Sequence, residues 1–345
     1  MSTTTRLRGT AHLLALLILL GLPLAGPARA ADPVRVYNCM EASEAMNKRW
    51  EEKLGIKTAL LRLSCGEMWA RIQAETKEGT NPAGIQADLV VSVLPDQILI
   101  GKKQGLWLPH SQSPGWQGVA PAYVDPDGAG YNLGTFSWLI YASEPRLKEK
   151  GYAMPRTMKD LLDPRWKGEI LLPSPITSGT AYLIVLSFLS HYGEAEGWKY
   201  LEALDQNVAY YTRGGGGPAQ LVARGEAILG LATDEDALPL QGKQAPIRLG
   251  SPEEGTGAIG QWIAIPKGGK APEAAKKMID LAGTPEFQEF LATYGNLTAR
   301  EVKSPLYPTR PKLIPIDWAQ YGQKEVRTRI INTWREKFGH KARTQ

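Results

Sequence analysis

The chain has 345 residues, 43% of them hydrophobic, with 40 basic and 35 acidic side chains and a formal net charge of +5. This small positive balance is no nucleic-acid signature, so nucleic acid is not an expected partner. No second long apolar stretch follows the first 30 residues, which argues against a membrane-embedded protein.

Residues 1–30 have the three-part pattern of a secretory signal peptide. Arg6 and Arg8 precede an apolar run from Leu13 to Leu24, and Ala28-Arg29-Ala30 supplies small residues around a cleavage point. An uncleaved signal-anchor helix is the alternative, but the run is short for a bilayer span. Removing the segment takes away three arginines and no acid, so the net charge falls from +5 to about +2. The sequence therefore predicts an exported protein of the periplasm.

The mature chain has room for two lobes and a single disulfide. Roughly 315 residues remain without the signal peptide, and single cores stop growing near about 250 to 300 residues. Cys39 and Cys65 are the only cysteines, in a chain sent to a compartment where oxidation is permitted. They could form a disulfide or remain two buried thiols, and only their separation in space decides.

Strand and helix patterns alternate at the start of the mature chain, which predicts an α/β lobe. The predicted elements are strands over 33–37, 56–63 and 87–93 and helices over 41–54 and 68–75. Ligands of open parallel sheets bind beyond the carboxyl ends of the strands. Asn38 follows one strand and the turn of Ser64, Cys65 and Gly66 follows another, so these are candidate binding residues. Ser64 and Glu67 also fit a helix N-cap with its capping box, the simpler interpretation for Glu67.

The middle of the chain is predicted to cross from the first lobe into a second one. A loop composition over 109–130 leads to a strongly apolar strand, Thr135 to Ala142, and then to a short helix over 156–162. After a strand over 169–172, a long apolar helix begins behind the segment Thr177, Ser178, Gly179, Thr180. Hydroxyl groups and free N–H groups at a helix start favour an anion, although ordinary capping explains one such turn by itself.

The stretch from Asn207 to Asp236 has the strongest local signal. A strand ends at Arg213, four glycines follow, Pro218 begins a short helix and Gly225 stops it. Glycines let backbone N–H groups approach a ligand closely, and a helix start favours negative charge. The candidate anion-binding residues here are Arg213, Gly215, Gly216 and Gly217. For Arg213 the alternative is a salt bridge with a neighbouring acid.

A second strand over 227–232 then delivers three acids, Asp234, Glu235 and Asp236. They could hold an amine or sugar hydroxyls, and a solvated loop is the alternative. Three turns before helices, at 64–67, 177–180 and 213–218, suggest a cleft lined by helix N-termini.

Several segments, in this order, resemble a known family. They are SCGEMWARIQAE, DPRWKGEILLPSPITSGTAY, RGGGGPAQLVARGEAILGLA and SPEEGTGAIG. Together they are similar to periplasmic solute-binding proteins of ABC importers, in the branch of ferric-iron, hexose-phosphate and 2-aminoethylphosphonate binders. The resemblance covers nearly all of the mature chain.

The resemblance implies the type 2 periplasmic-binding-protein fold, an α/β fold of mixed sheets flanked by helices in two lobes. The implied divisions are residues 31–134 plus 245–300 for lobe 1, 135–244 for lobe 2 and 301–345 for a C-terminal extension and helix. The lobes should close by a hinge near 131–137 and 237–260. The implied partners are a small solute and the ABC permease and ATPase of the inner membrane, with a monomeric binding protein and no cofactor.

The resemblance also favours one class of ligand. Iron binders of this branch place adjacent tyrosines where this chain has Thr233 to Asp236, and the pair Tyr210-Tyr211 lies upstream, which suggests packing. Phosphoester and phosphonate binders carry a glycine-rich turn and often a glutamate in an EGTG turn, matched by Glu254. Their aromatic-glutamate pair is missing after that turn, where Ala258 stands. The expectation is a small phosphorylated or phosphonate anion, and a ferric-iron binder and a periplasmic sensor subunit are the alternatives.

The sequence gives little support to the hypothesis that the protein is an enzyme. Residues 255–260 match GxGxxG, but the next residues read as a strand, whereas a dinucleotide-binding loop precedes a helix. Neither HExxH nor GxSxG nor paired CxxC occurs. No enzymatic activity, catalytic residue or metal site is therefore predicted.

Overall fold

The structure is a computed structural model that describes residues 1–2, 32–303, 305 and 311–343. The predicted signal peptide lies outside the described residues apart from its first two. Within the described part of the chain, no helix is long and apolar enough to cross a membrane.

The strands alternate with helices along the chain. The strands are β1 (Val34–Asn38), β2 (Thr58–Arg62), β3 (Leu89–Val93), β4 (Tyr131–Ser143), β5 (Ile170–Pro173), β6 (Val208–Thr212), β7 (Leu229–Thr233), β8 (Ile247–Gly250), β9 (Thr256–Ala264), β10 (Leu297–Thr298) and β11 (Leu313–Ile314). The helices are α1 (Ser43–Leu54), α2 (Cys65–Glu75), α3 (Pro95–Lys103), α4 (Glu144–Lys150), α5 (Gly179–Tyr192), α6 (Glu194–Asp205), α7 (Gly217–Ala223), α8 (Ala237–Gly242), α9 (Pro272–Ala282), α10 (Pro285–Ala292), α11 (Trp318–Tyr321) and α12 (Lys324–Phe338).

The strand order is β2-β1-β3-β9-β4-β7-β5-β6, with parallel pairs at both ends and antiparallel pairs in the middle. Strand β4 joins the two halves of this sheet. Its residues 131–137 pair with β9, whereas residues 138–143 pair with β7 and β8. The predicted α/β fold of two lobes, with mixed sheets and crossing strands between them, is therefore confirmed.

Each lobe has its own hydrophobic core. In the first lobe, Trp50 of α1 packs against Phe287 of α10 with ring centroids 5.5 Å apart, and both are fully buried. In the second lobe, Trp138 of β4 packs against Phe188 of α5 at 5.8 Å. Helix α12 adds Trp334 to this second core. Burial of these aromatic rings, together with the aliphatic side chains around them, stabilises each lobe.

One local prediction needs correction. Residues 156–162, predicted as a short helix, contain only a 3-10 turn over Lys159–Leu162. The Asp160 carboxylate accepts the N–H groups of Arg156 and Thr157, which holds those residues outside the turn, and Pro164 follows two residues after it. Strand β8 pairs with residues 140–143 of β4, on the edge of β4 opposite β7.

The predicted capping box at the start of α2 is present. The Ser64 hydroxyl accepts the N–H of Glu67, and Glu67 Oε2 accepts the N–H and hydroxyl of Ser64, the hydroxyl at 2.7 Å. Removing an N-cap side chain costs about 1 kcal/mol. We expect Ser64→Ala to lower the free energy of unfolding by about this amount in urea titrations. Thr284→Ala, which removes the N-cap of α10 in the same lobe, is the matched control. A loss in the control without a loss in Ser64→Ala would contradict the prediction.

Candidate functional site

A cavity of about 430 Å³ lies between the two lobes. It is bordered by the starts of α2, α5 and α7, by the acids that follow β7, and by the crossing strands β4 and β9. The predicted site residues that line it are Ser64, Cys65, Ser178, Gly179, Thr180, Arg213, Gly215, Gly216, Gly217, Glu235 and Asp236. The three turns before helices, far apart in the sequence, therefore border one cavity.

Close backbone approaches bring the three helix starts together. The N–H of Gly66 donates to the carbonyl of Thr177 at 3.2 Å, so the start of α2 touches the segment before α5. A Cβ added at Gly179 would lie 3.1 Å from the Cβ of Cys65. One added at Gly215 would lie 2.4 Å from Thr180 Oγ1. An added side chain at Gly179 or Gly215 would force the neighbouring side chains of Cys65, or of Thr180 and Ser178, to move.

Five predicted site residues do not line the cavity. Gly66 and Thr177 form the backbone contact just described, and the Thr177 hydroxyl donates to the carbonyl of Arg213 at 2.7 Å. Asn38 is fully buried and accepts the N–H of Met40 at 2.8 Å. Asn38, Gly66 and Thr177 therefore lie behind the residues that line the cavity.

Two predicted acids also lie outside the lining. Asp234 is fully buried and accepts the N–H and hydroxyl of Ser137 on β4, at 3.0 and 2.9 Å. Glu254 accepts the N–H of Met158 with both carboxylate oxygens at 3.1 Å. The structure thus separates Glu254 from the acids Glu235 and Asp236.

Several lining residues were not among the candidate binding residues chosen from the sequence. They are Cys39, which was predicted as a possible disulfide partner, and Glu41, Arg62, Leu63, Glu67, Phe136, Gly214, Gln220, Thr233 and Gln261. Phe136 and Gln261 lie on the paired strands β4 and β9 at the centre of the molecule. Arg62 is the last residue of β2 and Glu41 lies three residues after β1, so strand ends would have pointed to them.

A disulfide joins Cys39, just after β1, to Cys65, the first residue of α2. Their Cα atoms are 5.1 Å apart. The bond fixes the first turn of α2 to the sheet, and this turn carries Ser64 and Glu67 at the cavity. Of the two arrangements considered for these cysteines, the structure contains the bonded one.

Hydrogen-bond donors collect where α5 meets the glycine turn. The Ser178 hydroxyl accepts the N–H of Ala181 at 3.3 Å, which leaves its own proton free to donate. Within the described part of the chain, the Thr180 hydroxyl and the N–H groups of Gly215 and Gly216 have no hydrogen-bond partner. The first N–H groups of a helix also have no acceptor in the helix itself. This end of the cavity can therefore surround an anionic group with donors.

Acceptors adjoin these donors: a Cβ added at Gly216 would lie 2.3 Å from Asp236 Oδ2. Glu235 is 5% exposed and accepts the Gln261 amide at 3.1 Å, and Asp236, also 5% exposed, accepts the Gln220 amide at 3.4 Å. The second oxygen of Asp236 and the amide oxygen of Gln261 have no partner among the described residues. Buried acceptors without a donor are costly, so these two oxygens call for a ligand with O–H or N–H groups.

The environment of these acids favours their protonated forms. Burial is the main cause and raises the pKa of Glu235 to about 8; the Gln261 amide opposes this, and the charge of Asp234 adds to it. Burial, followed by the charge of Glu41, also raises the pKa of Asp236. Near neutral pH the acids therefore carry less negative charge than their number suggests.

Two arginines reach the cavity, and each is paired with a glutamate. Arg213 Nε donates to Glu67 Oε1 at 2.8 Å, an ion pair between the start of α2 and the glycine turn. Arg62 donates to Glu41 at 2.6 Å. The Arg213 side chain is 58% exposed, so this pair contributes little to stability and its guanidinium can turn toward a ligand.

The two tyrosines weighed as iron ligands lie outside the cavity lining. Tyr211 donates to Asp205 at 2.7 Å and packs edge-on against Trp334, and Tyr210 lies beneath the guanidinium of Arg343. In the described residues, no three His, Cys, Asp or Glu side chains are grouped so as to hold a metal ion. The GxGxxG segment continues into strand β9, as predicted.

Comparisons with known proteins agree with this architecture. Residues 87–323 match the family model described as bacterial extracellular solute-binding protein. An uncharacterized protein of Haemophilus influenzae is 31% identical over 92% of this chain and 94% of its own length. A probable ABC transporter periplasmic-binding protein of Sinorhizobium fredii is 27% identical over 89% of this chain and 86% of its own.

Two solved structures illustrate the range of similar folds. The periplasmic binding protein AfuA of Actinobacillus pleuropneumoniae, solved with fructose-6-phosphate bound, is 29% identical with a TM-score of 0.80, over 89% of this chain and 98% of that one. The ferric binding protein of Campylobacter jejuni is 19% identical with a TM-score of 0.70, over 88% and 99%. The latter shows the fold alone. The predicted solute-binding role in an ABC-type import system is supported, and the chain belongs to the bacterial extracellular solute-binding protein family.

Proposed function

We propose that the protein captures a small phosphorylated or phosphonate anion in the periplasm and delivers it to an ABC permease and its ATPase. The observation that carries this proposal is the convergence of Ser178, Thr180 and Gly215. Their hydroxyl and N–H groups can all donate to one anionic group, and Arg213 lies at the same border of the cavity. Donors of this kind bind phosphate oxygens through short, strong hydrogen bonds.

The acids beside the glycine turn select what the anionic group is attached to. Glu235, Asp236 and Gln261 offer oxygen acceptors, which suit the hydroxyl groups of a sugar or the ammonium group of an aminoalkyl chain. The similarity to AfuA, whose structure holds fructose-6-phosphate, favours a hexose phosphate as the first ligand to test. The cavity volume lies in the ordinary range of small-molecule sites.

A thermal-shift screen of the mature protein tests this proposal. The probes are fructose-6-phosphate, fructose, 2-aminoethylphosphonate, inorganic phosphate and ferric ion. A ligand at about 100 times its Kd adds about 2.7 kcal/mol to the folded state, so a specific ligand should raise the melting temperature clearly. We expect a shift with a phosphorylated or phosphonate probe and none with fructose, which lacks the anionic group.

Arg213→Ala should reduce the affinity for that probe about tenfold or more, because one charge-assisted contact to the anion is lost. The control is Arg224→Ala, which removes an arginine as exposed as Arg213 from an ion pair with Glu226 outside the cavity and should bind normally. Isothermal titration measures both. A shift with ferric ion alone, or equal affinities of Arg213→Ala and the unmodified protein, would refute the anion site.

A further inference from the structure

Most of helix α12 belongs to the second lobe. Its side chains Ile330, Trp334 and Phe338 are buried in the same core as α5 and α6. Arg329 also pairs with Glu194 at the start of α6, with Nη2 and Oε2 3.1 Å apart. If the two lobes move relative to each other, this part of α12 therefore moves with the second lobe.

The first turns of α12 reach the first lobe instead. Lys324 pairs with Glu78 at 3.1 Å, and Arg327 pairs with Asp96 at the start of α3. The two ion pairs differ in exposure: the side chains of Lys324 and Glu78 are 42% and 75% exposed, those of Arg327 and Asp96 only 7% and 0%. An exposed pair contributes little, whereas a buried charge without its partner is strongly unfavourable.

Arg327 also touches the helix that opens on the cavity. Its guanidinium lies 4.1 Å from the ring centroid of Tyr182, in the first turn of α5. Leu94, two residues before Asp96, approaches Gly179, where an added Cβ would lie 3.3 Å from the Leu94 methyl group. The ion pair and the cavity wall thus share the same two elements, the start of α3 and the start of α5.

We propose that Arg327 is a positioning residue for closure of the cleft. Through its ion pair with Asp96 it ties α12 and the second lobe to the first lobe, and the closed arrangement requires both charges or neither. Arg327 does not line the cavity, so it acts on ligand affinity only through the fraction of molecules that are closed.

The physical reason lies in burial. A buried pair of opposite charges is tolerated, because each charge compensates the loss of water around the other. If one charge is removed, the remaining one is left buried in the closed form but reaches water when the lobes separate. The open form is then favoured. Replacing both partners by apolar residues of similar size removes the penalty, so the closed form should return.

Small-angle X-ray scattering of the ligand-free protein measures the open fraction through the radius of gyration. We expect Arg327→Met and Asp96→Leu to raise the open-to-closed ratio about tenfold or more. The double variant should return to the radius of the unmodified protein. Lys324→Met, which breaks the exposed pair on the same helix, is the matched control and should leave the radius unchanged.

Amide exchange of Gly66 gives a second readout, because its N–H bonds to Thr177 across the cleft. This exchange should rise by the same factor as the open fraction. If Arg327→Met does not fold, Asp96→Asn, a smaller change, replaces it with the same expected opening. Folded single variants with the original radius and exchange rate would overturn the proposal, as would a double variant that stays open.

Discussion

Gly215→Ala should weaken binding of the phosphorylated probe about 100-fold, the loss expected when two charge-assisted hydrogen bonds are removed. The new methyl group would lie 2.4 Å from Thr180 Oγ1 and 3.1 Å from Ser178 Oγ, so both hydroxyls must move or be covered. The backbone itself permits alanine, since Gly215 is not among the glycines with positive φ. The loss would therefore report on the site and not on backbone strain.

Gly242→Ala is the matched control for this substitution. Gly242 also lacks a positive φ, and an added Cβ would meet nothing within 4 Å. Titration calorimetry should find unchanged affinity for Gly242→Ala, and both variants should melt near the unmodified protein. Equal affinities of Gly215→Ala and the unmodified protein would mean that the anion lies elsewhere. Loss of folding in Gly215→Ala alone would mean that the glycine is needed for packing.

Local patterns in the sequence were sufficient to predict where these helices begin. Ser64 and Glu67 form a capping box within four residues, and Gly215 lies in a run of glycines before Pro218. Such patterns depend on neighbours along the chain, so the sequence alone identified them. Their meeting around one cavity was suggested only by the order of strands and helices and by the family resemblance.

Residues brought in by long-range pairing could not be predicted in this way. Phe136 and Gln261 reach the cavity because β4 pairs with β9, more than 100 residues away along the chain, and no local pattern gives that register. Glu254 lies near Gln261 in sequence, yet its carboxylate accepts a hydrogen bond from the N–H of Met158. Helix α3, which supplies Asp96, was not predicted, because its short apolar pattern starts directly behind a buried strand.

The sequence identified Glu235 and Asp236 as candidate site residues but could not predict their protonation states. Their position after a strand suggested either a ligand contact or a solvated loop, and both interpretations assume ionised carboxylates. The structure buries them, and burial changes the pKa more than any neighbouring charge does. Charge counted from composition therefore overstates the negative field in the cavity.

Glu235→Gln should make the ligand-free protein more stable, and the gain should grow with pH. The folded pKa of Glu235 is raised, mainly by burial, to about 8, above the usual value of a glutamate in an unfolded chain. Between these two values the folded protein holds a proton that the unfolded chain has released, so stability falls as pH rises. The slope is at most about 1.4 kcal/mol per pH unit for one proton. Glutamine cannot ionise, so this loss disappears in the variant.

Urea titrations at intervals from pH 4 to 9 measure this effect. We expect similar stabilities near pH 4, a gain of a few kcal/mol for Glu235→Gln near pH 8, and no further change above it. Asp88→Asn should show the opposite dependence. Burial alone would raise the pKa of Asp88, but hydrogen bonds from Arg35 and from the N–H of Lys270 lower it. Asp88 therefore stabilises the fold above its unfolded pKa, and the deficit of Asp88→Asn should shrink as the pH falls. A gain for Glu235→Gln that is constant with pH would mean that Glu235 titrates normally and that the amide is simply better packed.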